Sequence, residues 1–148
     1  MSMNYFMCTF TADQIEAMMD EPLLLDRWVL QEPAYGEKTD IETAWDVLRQ
    51  ALVDVGFGDA APFVDDALFN GASLLNPDVV KAEAEDLAGW TEDDVMAAIM
   101  NLPAGGEDEA YCLDVWQEDE SVLDHFNTLK DFFARAAAAG QGMVCYIA

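Results

Sequence analysis

Two apolar, aromatic-bearing segments stand near opposite ends of this chain, residues 3–10 (MNYFMCTF) and 142–148 (GMVCYIA), and the stretches with helical periodicity lie between them. Short runs of aromatic and β-branched residues bounded by turn formers read as strands. Strands at both ends with helices between them predict an α+β domain whose terminal strands pair in one small sheet. Residues 71–75 (GASLL) add a short middle strand. About five helices are expected to pack on this sheet, in one domain spanning residues 1–148. No internal repeat and no inter-domain linker interrupts it.

Helix boundaries are written in capping residues. Thr11 and Gln14 have capping-box spacing, in which each side chain satisfies the other's free backbone N–H; Ile15, Met18 and Met19 then carry a helix to about Asp20. Residues 21–38 hold Pro22, Pro33 and Gly36 and read as loop, with residues 23–25 and 28–30 packed on the core. Thr39 and Glu42 form a second box, opening a helix whose stripe is Ile41, Ala44, Trp45, Leu48, Leu52 and Val55. Gly56 and Gly58 end it, and a short helix is expected over 62–68. Asn76 followed by Pro77 is an N-cap with a first-turn proline; Val80, Ala84 and Leu87 define that helix's face. Thr91 caps a helix burying Val95, Met96 and Ile99. Residues 104–110 read as loop and 111–117 as extended. Ser121 with Asp124 opens the longest helix, striped by Val122, Phe126, Leu129, Phe133 and Ala136.

The order of these motifs resembles the YfbM-like family of uncharacterised bacterial proteins, the domain of unknown function 1877. MSMNYF is similar to that family's opening Met-Gly-Met and aromatic strand, with Ser2 where glycine is usual. Residues 40–48, DIETAWDVL, resemble its Asp-Ile-Asp-Lys-x-Trp-Asp helix, with Arg49 in the place where a histidine often follows. Residues 74–79, LLNPDV, resemble its strand-to-helix step, and the long helix followed by GQGMVCYIA resembles its C-terminal end. The resemblance implies a single α+β domain and carries no activity or site residue with it.

Charge bounds the function. Thirty acidic against six basic residues give a formal charge of −24, alongside a hydrophobic fraction of 53%. A disordered acidic tail lacks such apolar content. Six basic residues cannot supply the patch that nucleic acid or an anionic membrane surface needs. The apolar N-terminus has no basic flank and does not read as a signal peptide, and no run approaches a membrane span of roughly 18 residues. The three cysteines, Cys8, Cys112 and Cys145, lack CxxC spacing and are expected as free thiols in a cytoplasmic protein.

Catalytic signatures are lacking. The single histidine, His125, has no nucleophile elbow beside it, no phosphate-binding glycine loop is present, and no His/Cys cluster suits a transition metal. Acid runs at helix starts complement the macrodipole, so no metal or cofactor is expected. These readings favour a non-catalytic acidic binding protein, an inhibitor, immunity or adaptor module that meets a basic partner. The alternative is a small enzyme or small-ligand-binding domain, with acidity serving solubility or salt adaptation. The candidate contact stretch sets two acid runs, Glu107, Asp108, Glu109 and Glu118, Asp119, Glu120, around Tyr111 and Trp116 as aromatic anchors.

Overall fold

A strand that reads apolar at nearly every position is suited to burial on both faces, and both terminal strands are of this kind. The computed structural model describes residues 3–59 and 61–148, so Met1 and Ser2 of the opening motif lie outside the described residues. Five strands, β1 (Tyr5–Phe10), β2 (Lys38–Asp40), β3 (Phe63–Val64), β4 (Ala72–Leu75) and β5 (Gly142–Ile147), form one sheet in the order β2-β1-β5-β4-β3. Every pairing is antiparallel. The terminal strands pair along their whole length, from Tyr5 opposite Ile147 to Phe10 opposite Gly142. β4 continues on the other side of β5, with Ala72 opposite Tyr146 and Leu75 opposite Met143.

Side-chain alternation divides the core in two. Tyr5, Met7, Leu75, Met143 and Cys145 lie in the larger core cluster, and Cys8, Phe10, Ala72, Leu74, Val144 and Tyr146 in a second on the opposite face. Cys8 and Cys145 therefore sit on adjacent strands but opposite faces, and all three cysteines are free.

The smaller cluster is closed by α1 (Ala12–Asp20), by a single turn α2 (Leu23–Asp26) and by a π-turn over Arg27–Gln31. The Thr11–Gln14 capping box forms as its spacing predicts. The loop expected over 21–38 is helical as far as Gln31, because Leu25 and Val29 reach the core from one face.

The larger cluster packs under the remaining helices. These are α3 (Trp45–Ala51), entered through a 3₁₀ turn at Glu42–Ala44, then α4 (Pro77–Ala88), α5 (Glu92–Met100), α6 (Leu113–Glu118) and α7 (Val122–Ala138). Asn76 and Thr91 cap α4 and α5 as expected. Four local expectations fail. The Thr39–Glu42 box does not form, because Thr39 is drawn into β2 opposite Met7. Ser121 makes no side-chain cap; its N–H donates to Asp119 Oδ1 instead. Residues 62–68 form strand β3 and a turn, since pairing with β4 outweighs a weak helical period. Residues 111–117, read as extended, instead wind into α6, where Leu113 and Trp116 meet the core at i, i+3. Among the described residues no helix is long and apolar enough to cross a membrane.

Candidate functional site

The pocket with the most chemistry lies where β1 begins and β5 ends, on the sheet face covered by α3. Tyr5, Ser73 and Cys145 supply strand residues, α3 contributes Trp45 and Arg49, the following loop Phe57 and Asp59, and Phe63, Asn70 and Gly71 complete the wall. The cavity holds about 250 Å³. Trp45 and Arg49 reach it together because residues four apart share a helix face. The Trp45 indole is fixed by donating to the Met3 carbonyl at 2.8 Å. Arg49 donates through Nε and Nη2 to Asp46 Oδ1, at 3.1 and 2.6 Å.

Backbone strain gathers around this wall. Phe57, Leu68 and Phe69 have φ of 48°, 47° and 71°, the left-handed region that side chains disfavour. Gly71 has φ +93°, and a Cβ there would stand 2.4 Å from Phe63 Cζ, so the Phe63 ring occupies the space that glycine leaves. Gly58 (φ +77°) packs against Leu75 and Ser73 in the same way. Such outliers tend to persist where surrounding contacts enforce them, often at sites that bind.

Behind the lining lies Glu83 of α4, one of three buried polar residues among the described residues. Its Oε1 accepts the Gly58 N–H at 2.7 Å, while Oε2 has no partner among the described residues. Burial pushes its carboxyl up to about 7; the Gly58 N–H opposes this, and nearby Asp59 and Asp86 add to it. Burial likewise raises the Tyr5 hydroxyl and the adjacent Cys145 thiol, and the Glu83 charge pushes both further. A thiol held so firmly protonated is a poor nucleophile. The pocket therefore offers neutral hydrogen-bonding groups and aromatic surface, with Asp59 as a carboxylate in its lining.

The contact stretch expected from sequence comes apart in three dimensions. Glu107, Asp108 and Glu109 are exposed beside Asp46, Arg49 and Gln50, next to the pocket just described. Glu118, the last residue of α6, and Asp119 and Glu120 after it are exposed. Trp116 is not an available anchor: it is buried, its indole donates to Thr43 Oγ1, and its ring meets His125 edge-on. Tyr111 is half-buried against Trp45, its N–H held by Asp46 Oδ2. His125 Nε2 lies 2.7 Å from Glu42 Oε2, a pairing that helps hold Glu42 at φ 49°.

A second concavity, a broad open cleft of about 900 Å³ between α4 and α5, gathers Asp54, Glu85, Asp86 and Asp94 around half-buried Trp90. Among the described residues none of these four carboxylates is ion-paired. Sequence reading missed both places. Glu83 is spaced i+3 from Val80 and i−4 from Leu87, so a carboxylate on the inward stripe was the available signal. No local pattern foretold that Tyr5, Cys145 and Glu83 meet.

The sequence matches the profile of DUF1877, a domain of unknown function, over residues 1–146. No curated protein matches it. Among solved structures, the fold is similar to the crystal structure of YfbM from Escherichia coli, itself described as a protein of unknown function. The TM-score is 0.63 at 13% identity, covering 99% of each chain. At that identity the likeness shows the fold alone.

Proposed function

We propose that this chain, which belongs to the DUF1877 family of unknown function, is a non-catalytic binding domain that takes a small ligand in the pocket at the end of the sheet. The observation that carries this reading is the buried Glu83 carboxyl, one oxygen of which has no partner among the described residues, set behind Tyr5 and Cys145 in the wall of an aromatic-lined cavity. Buried polar atoms are nearly always partnered, and an exception calls for an explanation. Concave, mostly apolar cavities with a few convergent polar groups and a perturbed titrating residue are the usual form of a ligand site. Ligand-observed NMR with a set of small neutral, anionic and cationic fragments tests it. Hits should shift the Trp45 indole resonance and weaken in Phe63→Ala, which removes an exposed wall without touching the core. Hits indifferent to Phe63→Ala, or none at all, remove the reading.

A second reading keeps the basic partner. The unpaired carboxylates around Trp90 support it, as do the exposed runs 107–109 and 118–120, in which Glu107, Asp108, Glu109, Glu118, Asp119 and Glu120 make the contact without the buried Trp116 ring or the half-buried Tyr111. A lysine-rich peptide should then shift the Trp90 indole in a salt-dependent way, and Asp86→Asn with Asp94→Asn should abolish the shift. A shift that survives both changes places the peptide elsewhere.

A further inference from the structure

The lining of the sheet-end pocket is aromatic on several sides and carries one charge without a counter-charge. Tyr5, Trp45, Phe57 and Phe63 all border the cavity. Its only cationic side chain, Arg49, is neutralised in place by Asp46, which also accepts the Tyr111 N–H. Asp59 on the rim is exposed and has no ion-pair partner among the described residues. The acid run 107–109 stands on the far side of Arg49, sharing that residue with the pocket. The field over this end of the molecule therefore disfavours an anion and concentrates cations.

Aromatic faces attract cations through the ring quadrupole, most strongly when the ring is Trp and the site is desolvated. The chain shows this preference internally: the Lys38 ammonium sits 5.1 Å from the Phe6 ring centroid, 5.6 Å from Tyr146 and 5.9 Å from Tyr35. A strongly hydrated metal cation suits oxygen ligands in number, which the aromatic wall does not give. A methylated ammonium is weakly hydrated, apolar on its surface and still charged. The cavity of about 250 Å³ lies below the ~300–1,000 Å³ that drug-sized ligands fill, which fits a compact head group. We propose that the pocket binds a small organic ammonium ion, held by Trp45, Phe57 and Phe63 with Asp59 as counter-charge and with the Tyr5 hydroxyl in the wall as a hydrogen-bond partner. This rests on the small-ligand reading above and adds the class of ligand.

The test compares two probes of one shape, choline and its neutral carbon isostere 3,3-dimethylbutan-1-ol, titrated at constant ionic strength and pH 8. Chemical shifts of the Trp45 indole and of Asp59 and Phe63 report binding. Choline should bind roughly ten-fold or more tightly than the alcohol. Asp59→Asn should reduce that preference about two- to five-fold, the range of an exposed ion pair, and Phe63→Leu should weaken both probes. Both substituted side chains are exposed, so folding is expected to survive. Equal binding of the two probes overturns the ammonium assignment and leaves the small-ligand reading standing. Failure of both probes to shift these resonances at millimolar concentration overturns it together with the pocket. Choline shifting the Trp90 resonance alone assigns the cation to the acidic cleft and overturns it as well.

Discussion

Glu83 is the residue that sets this domain apart from a generic acidic α+β fold. A folded-state carboxyl at about 7, against an ordinary 4.5, means that the folded chain holds a proton which the unfolded chain gives up. Its contribution is fully present below pH 4.5 and is lost as pH rises through about 7. A shift of this size corresponds to about 3 kcal/mol. Glu83→Gln keeps an oxygen for the Gly58 N–H and removes the titration. The variant should be more stable than the parent at pH 8, with the difference shrinking towards pH 5, in urea denaturation series at the two values. Equal stability at both would mean that Glu83 stays hydrated. Its spacing from Val80 and Leu87 puts Glu83 on the inward stripe of α4, but only the packing of α4 against the 56–59 loop decides that the carboxyl is buried there with the Gly58 N–H.

At the scale of elements, capping side chains were legible where the chain was free to use them. Asn76 accepts the Val79 N–H and Thr91 the Asp94 N–H, both at positions predicted from spacing. Thr39 and Ser121 had equally good spacing and form no cap. A neighbouring strand claimed Thr39, and Asp119, held below the usual carboxylate range by its hydrogen bonds from Ser121, took the N–H at the start of α7. Asn76→Ala should therefore cost about 1 kcal/mol of unfolding free energy, whereas Ser121→Ala should change it by less than ~0.5 kcal/mol. Chemical denaturation of the two variants checks this directly, and equal losses would show that the Ser121 hydroxyl does cap in solution. The same competition explains β3 and α6. Short segments with weak periodicity take the state that the nearest packed surface offers.

For the whole molecule, the charge of −24 proves dispersed. Exposed carboxylates occur on α1, α4, α5, α6 and α7 and in most loops, while the three arginines are ion-paired, as Arg27–Glu32, Arg49–Asp46 and Arg135–Glu37. Self-repulsion of such a coat is screened over about 10 Å at 0.1 M salt, so the melting temperature should rise as NaCl is raised from low to molar concentration. A flat response in calorimetry would mean that the charges are too far apart to repel effectively. By itself the sequence determined the α+β class, the pairing of its terminal strands, three of the helix caps and the apolar stripes of the long helices. Each of those follows from side-chain periodicity and local hydrogen bonding within a few residues. Only the tertiary structure decided which helices cover each face of the sheet, that Trp116 is buried rather than offered to a partner, and that Tyr5, Glu83 and Cys145 converge. These three residues come from β1, α4 and β5. The sheet and the helix packed on it bring them together, and no local pattern encodes a meeting across so much intervening chain.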